Sequence, residues 1–292
     1  MRLPNFMCIG AAKSGTTSLY DILSQHSEVF TPSFKEPHFF DIPSNYQNGV
    51  EWYEKTYFKG VKDEKCIGDF SPTYLFEAQS PQRILNDIGA DVKFIIILRN
   101  PVDRAYSHYL HSKRDEHEKL SFRDALFLEE NRTNKNDYLT YLRLSYVGQG
   151  MYSQMLKRYF KLFSKENFLI INFEQEFISQ REDTMHRISS FLELTPEDIN
   201  INILSNKASK ARYIWLKKFM KKTGWMREVI RNMISSLKIR QIIKNRIQRA
   251  NLRADTPNKL SEKEKQQIYN TYFKSEVQEL EKLLNKRMYW EV

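Results

Sequence analysis

Residues Phe6–Thr17 read Phe-Met-Cys-Ile-Gly-Ala-Ala-Lys-Ser-Gly-Thr-Thr. Phe6 to Gly10 is a short apolar run with the length of a buried strand, and helical spacing takes over from Thr16 to about Gln25. A strand that feeds a small-residue loop and opens directly into a helix aims backbone N–H groups and a helix N-terminus at one point, an arrangement that favours an anion. The nucleotide-binding loop G-x-x-x-x-G-K-[ST] is the natural comparison. Gly10 and Gly15 have its separation, but Thr16 stands where that motif needs lysine, and the loop's one cation, Lys13, comes earlier. The pattern is a P-loop-like phosphate cradle with its lysine moved, which argues against ordinary ATP or GTP hydrolysis.

The same alternation of β-rich runs and helical patterns continues outward. Cys66–Asp69 reads as a second strand, Ser80 with Pro81 opens a helix ending near Gly89, and Val92–Leu98 is a mostly β-branched run suited to the centre of a parallel sheet. Pro101 opens a helix running past His111, a further helix covers Met151 to Phe163, and Phe168–Phe173 is another strand. Ser261, with Glu264 three residues on, is a capping box that opens a helix reaching Asn285. The fold class expected is α/β: three layers with a central parallel sheet, a P-loop-like first strand-turn-helix, and a basic helical insertion in the C-terminal third. Residues 1–292 are expected to form one domain, with 205–253 as an insertion or lid within it.

A second anion site follows from Arg99-Asn-Pro101. Arg99 sits at the carboxyl end of the central strand, where open α/β sheets bind ligands, and Ser107 lies two helical turns on. Arginine and serine together suit a phosphate monoester held without metal. That strand ends in arginine where a magnesium-binding acid would be needed, and the histidines show no metal-ligand grouping; His108 and His111 are read as structural.

Composition bounds the rest. With 41% hydrophobic residues in 292 the chain can bury a sizeable core, and its longest apolar run, Phe94–Leu98, is far too short to span a bilayer. No secretory leader is visible, and Cys8 and Cys66 are expected to be reduced and buried, which suits a cytoplasmic protein. The net charge of +10 comes from one place: residues 205–253 hold fifteen Lys or Arg and one acid, Glu228, leaving the remainder slightly acidic. Trp215, Leu216, Phe219 and Met220 recur there at helical spacing. Three readings stay open for 213–249: a lid lining the nucleotide cleft, a membrane-surface face, or a contact for an anionic glycan. Nucleic acid is not expected, because the aromatic residues follow packing spacing rather than forming a stacking platform.

Three ordered motifs carry a family resemblance: the Gly10–Thr17 loop, then Lys35-Glu-Pro-His-Phe-Phe-Asp41, then Arg99-Asn-Pro with Ser107. Together they resemble the sulfotransferases that use 3′-phosphoadenosine 5′-phosphosulfate (PAPS), and most of all the carbohydrate branch that includes the heparan sulfate enzymes. The similarity is good from Phe6 to about Tyr109, loose over Gly150–Phe173, and weak near Arg253 and at Leu280, Leu283 and Trp290. The resemblance implies that Lys13, Ser14, Gly15, Thr16 and Thr17 hold the 5′-phosphosulfate and that Arg99 and Ser107 hold the 3′-phosphate. Arg253 resembles a late basic loop that closes over that phosphate. No metal is implied.

The resemblance also places the general base at Glu36, with His38 and Asp41 orienting it or touching the acceptor and Lys13 stabilising the bridging oxygen. His38 as the base is the competing assignment, and an aromatic plug of His38, Phe39 and Phe40 is the structural one. One departure bears on the acceptor. Asp69-Phe-Ser-Pro72 stands where heparan-type enzymes carry an acid-Lys-Thr-Pro, and Phe70 cannot pair with an acidic sugar. The expected reaction is in-line sulfuryl transfer to a hydroxyl of a carbohydrate or glycolipid, in a cytoplasmic enzyme whose association with a membrane surface stays open and whose oligomeric state is unassigned. A lipid or small-molecule alcohol is the alternative acceptor, and a P-loop kinase using ATP the alternative class.

Overall fold

The computed structural model describes residues 2–133, 137–203, 209–211, 252–254 and 259–290. The chain divides into two compact units, Met1–Ser205 with Leu260–Val292, and Asn206–Lys259. In the second unit the described residues form one antiparallel pair, Ser209–Ala211 against Leu252–Ala254. The basic segment 213–249 lies outside the described residues.

The first unit is built on a five-stranded sheet: β1 (Phe6–Gly10), β2 (Val29–Phe30), β3 (Cys66–Asp69), β4 (Lys93–Leu98) and β5 (Phe168–Asn172), in the order β2-β3-β1-β4-β5. Every pairing is parallel, and β1 lies between β3 and β4. Burial on both faces explains the unbroken apolar sequence of β4, in which Phe94 through Leu98 are all 0% exposed. Phe94, Ile96 and Leu98 face a core with Tyr159, Leu156, Val102, Ala105 and Val277. Ile95 and Ile97 face the opposite one, with Leu19, Ile22, Leu23 and Ile188. Strand alternation thus produces helix–sheet–helix layers, as the sequence pattern requires.

Element positions differ little from expectation. The first helix is Thr16–Leu23, and the helix after β4 runs Pro101–Arg114 with Asn100 capping it: its side chain accepts from the N–H groups of Val102 and Asp103. The capping box at Ser261 and Glu264 forms. The helix it opens is interrupted by a wide turn at Tyr269–Phe273 before continuing as Lys274–Leu284. The two-residue edge strand β2 is too short to leave a period in the sequence. Cys8 and Cys66 are both free and buried.

Candidate active site

The site lies at the carboxyl ends of β1, β3, β4 and β5. Gly10 closes β1 because Leu75 passes against it; a Cβ there would come within 2.7 Å of the Leu75 side chain. Gly15 has φ +85°, and a Cβ would sit 2.8 Å from the Phe173 ring and 3.0 Å from that of Phe177. Only glycine fits, both for backbone conformation and for space. Gly15 caps the Thr16–Leu23 helix without any side-chain hydrogen bond to its first turn. Ser14 is fully buried, and its Oγ has no partner among the described residues.

Lys13 also adopts a left-handed conformation, φ +70°. Burial, helped by the charges of Arg114 and Arg99 and opposed by Glu36, lowers its ammonium to about 8. The Arg99 guanidinium donates from Nη1 to the Lys13 carbonyl at 3.0 Å and lies over the Phe173 ring, 5.1 Å from its centroid. The Tyr152 hydroxyl donates to the Arg99 carbonyl at 3.0 Å. The two anion-binding elements inferred separately from sequence are therefore in direct contact. Ser107 lies half-buried on the Pro101–Arg114 helix that Arg99 precedes.

The third element is the 35–41 loop. Glu36 and His38 both have left-handed backbones, φ +67° and +52°, on either side of Pro37. For residues with a Cβ this is strained, and such strain persists only where the surroundings impose it. The surroundings here are specific. Tyr57 donates to the Pro37 carbonyl at 3.2 Å, Asn45 to the His38 carbonyl at 2.9 Å, and the Phe39 N–H donates to the Tyr74 hydroxyl at 3.0 Å. Phe39 and Phe40 are fully buried, with Phe39 stacked on Tyr53 at 4.4 Å. The aromatic plug exists, but it consists of the two phenylalanines; His38 belongs to a polar chain.

That chain runs Glu36–His38–Asp41. Glu36 Oε1 accepts from Lys35 Nζ at 2.7 Å, and Glu36 Oε2 lies 3.5 Å from His38 Nε2. His38 Nδ1 is 2.9 Å from Asp41 Oδ2, which also accepts from the Thr73 hydroxyl and, at 3.3 Å, from Tyr138. Burial disfavours charge on the imidazole, yet the hydrogen bonds to Asp41 and Glu36 outweigh it and push the imidazolium up to about 10. Burial alone would raise Glu36, but Lys35 and His38 prevail and hold it well below the usual carboxylate range. At neutral pH the pair is therefore carboxylate and imidazolium: Glu36 can accept a proton and His38 cannot.

Two further residues join the nucleotide loop: Arg114, which had no role assigned from sequence, and His111, which was read as structural. His111 and Arg114 stand one and two turns beyond Ser107 on the same helix, and both interact with the Lys13 charge. Burial, with Lys13 and Arg114, brings His111 down to about 4. Extending the helical period from Ser107 would have found them. His108 matches its structural assignment, buried edge-on to Tyr146 at 5.1 Å. Phe70 packs edge-on against Phe6 and Tyr20 at 5.8 and 5.3 Å, so it is a core residue and offers nothing to an acceptor. Arg253 lies on the Leu252–Ala254 strand of the second unit, and its side chain is outside the described residues.

One acid does end a strand beside β1. Asp69 of β3 is fully buried and saturated with hydroxyls: Tyr53 at 2.6 Å and Tyr74 at 2.9 Å on one oxygen, Ser71 at 2.7 Å on the other. Burial pushes it up to about 6. Among the described residues no group of His, Cys, Asp or Glu is arranged as a metal site.

Comparison with known proteins gives consistent results. A family model described as a sulfotransferase domain matches residues 3–228. The mouse heparan sulfate glucosamine 3-O-sulfotransferase 5 is 30% identical over 212 residues, covering 70% of this chain and 58% of that protein. The mouse bifunctional heparan sulfate N-deacetylase/N-sulfotransferase 4 is 32% identical over 204 residues, 66% of this chain and 23% of its own length. The chain thus spans little more than half the length of the first of these relatives and under a quarter of the second. A crystal structure of a sulfotransferase from Alicyclobacillus acidocaldarius superposes with a TM-score of 0.68 at 27% identity, covering 98% of this chain and 97% of that one.

Proposed function

This chain belongs to the sulfotransferase family, and from that premise we propose that it moves a sulfuryl group from PAPS to a hydroxyl of a carbohydrate or glycolipid. The observation that carries the reading is the junction of Lys13 and Arg99, which places two cations from two different strand ends against one loop. A nucleotide with phosphates at both ends of its ribose has use for both. The residues fit such a group: Ser14 Oγ is buried without a partner among the described residues, and Gly15 caps the first helix with no side chain to compete for its N–H groups.

PAPS would supply the activated sulfuryl group. Lys13, Ser14, Gly15, Thr16 and Thr17 are assigned to its 5′ end, Arg99 and Ser107 to its 3′-phosphate. A sulfuryl group carries less charge than a phosphoryl group, so lysine and backbone donors suffice to stabilise the bridging oxygen. Glu36 takes the acceptor proton. It is preferred over His38 because the imidazole is already protonated, and Asp41 keeps it so. Lys35 and His38 fix the carboxylate between them, which costs Glu36 basicity but holds its orientation.

The acceptor class rests on the relatives' names and on the acid–His–acid chain beside the nucleotide loop. A lipid or small-molecule alcohol is the second reading, favoured by the burial of Phe70 where a sugar-facing lysine was expected. The test is release of adenosine 3′,5′-bisphosphate from PAPS with glucosamine-containing oligosaccharides, a glycolipid and a long-chain alcohol as separate acceptors. Acceptor-dependent release with the saccharides supports the reading; release with the alcohol alone moves it to the second. No release with PAPS, but turnover of magnesium ATP, would make the chain a kinase.

A further inference from the structure

Glu174, just beyond β5, puts a carboxylate beside the arginine assigned to the 3′-phosphate. Its Oε1 lies 3.9 Å from Arg99 Nε, too far for a hydrogen bond, and Arg99 Nε is buried without a hydrogen-bond partner among the described residues. The Asn100 N–H points at both carboxylate oxygens, at 3.1 and 3.3 Å, and Trp290 Nε1 donates to Oε2 at 3.0 Å. Each hydrogen bond to the Glu174 carboxylate comes from a donor, as suits an acceptor-only group, and these with Arg99 oppose the upward push of burial.

Trp290 is itself tightly held. It is 3% exposed, its ring packs 6.0 Å from Tyr152, and its carbonyl accepts from Asn100 Nδ2 at 3.2 Å. Asn172 Nδ2 anchors the Met288 carbonyl at 2.8 Å, so the C-terminal strap crosses the ends of β4 and β5. An arginine with a free edge and a carboxylate in reach would ordinarily close into a bidentate pair. Here the strap and the Asn100 N–H occupy the carboxylate instead.

Resting on the reading that Arg99 holds the 3′-phosphate, we propose that Glu174 is an affinity-tuning residue whose charge weakens the hold on the spent nucleotide, and that Trp290 keeps it from closing onto Arg99. The arrangement keeps the guanidinium available to an incoming phosphate while opposing retention of the product, whose release limits turnover in many enzymes. Neither residue touches the reacting atoms; both act through Arg99.

The experiment is calorimetric titration of wild type, Glu174→Gln, Trp290→Phe and the double variant with adenosine 3′,5′-bisphosphate and with AMP, which lacks the 3′-phosphate. Glu174→Gln keeps an acceptor for Asn100 and Trp290 and removes the charge, so it should tighten the bisphosphate about three- to tenfold and leave AMP within about twofold. Trp290→Phe keeps the ring and frees the carboxylate, so it should weaken the bisphosphate alone, and the double variant should cancel that loss. Unchanged or weaker bisphosphate binding by a Glu174→Gln protein that melts like wild type overturns the proposal. If that variant folds poorly, the Trp290→Phe single decides, and unchanged bisphosphate binding or an equal loss for AMP overturns it. A wild-type protein with no preference for the bisphosphate over AMP, insensitive to Arg99→Ala, would instead remove the functional reading beneath it.

Discussion

The guanidinium of Arg99 donates from Nη1 to the backbone carbonyl of Lys13 at 3.0 Å. Lys13 occupies a left-handed conformation at φ +70°, so this bond braces a strained loop as well as bringing together the residues assigned to the two ends of the nucleotide. Arg99→Ala should therefore weaken AMP, which has no group for Arg99 to bind, as well as the bisphosphate. A charge-assisted hydrogen bond contributes about 1.5–3 kcal/mol, so the bisphosphate should lose at least about tenfold, and AMP a smaller, measurable amount. Equal AMP binding by wild type and variant in calorimetry would show that the loop holds its shape unaided.

Glu36→Gln preserves the size of the side chain and its bond from Lys35 while removing the proton acceptor. Turnover should fall about 10²- to 10⁴-fold, with affinity for adenosine 3′,5′-bisphosphate unchanged. Asp41→Asn should act in the same direction but less strongly, because it loosens the His38 that orients the Glu36 carboxylate rather than removing the base. Normal turnover in a Glu36→Gln protein that binds nucleotide would take Glu36 out of the role.

The pH dependence has a defined sign. Lys13 is lowered to about 8, so its charge is complete below that value and is lost as pH rises through it. In kcat/KM, which reports the free enzyme, activity should fall on the alkaline side near pH 8, and Lys13→Arg should move that limb upward whatever it does to the maximum. Glu36 is held below the ordinary carboxylate range, so its ionised form persists as pH falls, and no acid limb should appear near the usual glutamate value. An acid limb close to pH 6 that Glu36→Gln abolishes would contradict the observed pairing.

Much of this was legible in the sequence because it is local. The Phe6–Thr17 stretch and Val92 to Ser107 each carry their strand, turn and helix in consecutive residues, so period and turn chemistry suffice to place Lys13 and Arg99. Asp69 was not legible: only the fold reveals that this strand-end acid is enclosed by Tyr53, Ser71 and Tyr74. Nor were the left-handed Glu36 and His38, since positive φ is uncommon for any residue with a Cβ and the contacts that impose it come from Asn45 and Tyr57. The Glu174–Trp290 pair joins positions far apart in the chain, for which no spacing rule exists.

Asp69 also yields a stability prediction. Asp69→Asn puts an amide N–H₂ against hydroxyls that now donate to a carboxylate, at a fully buried position. Urea denaturation should show a loss of about 2–4 kcal/mol. An Asn variant as stable as wild type but deficient in a magnesium-dependent reaction would mean that the acid serves a metal and not the core.

The most direct test of the central claim is calorimetric titration of the wild-type chain with adenosine 3′,5′-bisphosphate in EDTA, set against ATP with magnesium. The account predicts tight binding of the bisphosphate without metal and weaker binding of magnesium ATP. Preference for magnesium ATP would contradict the two-phosphate site and give the lead to the kinase reading.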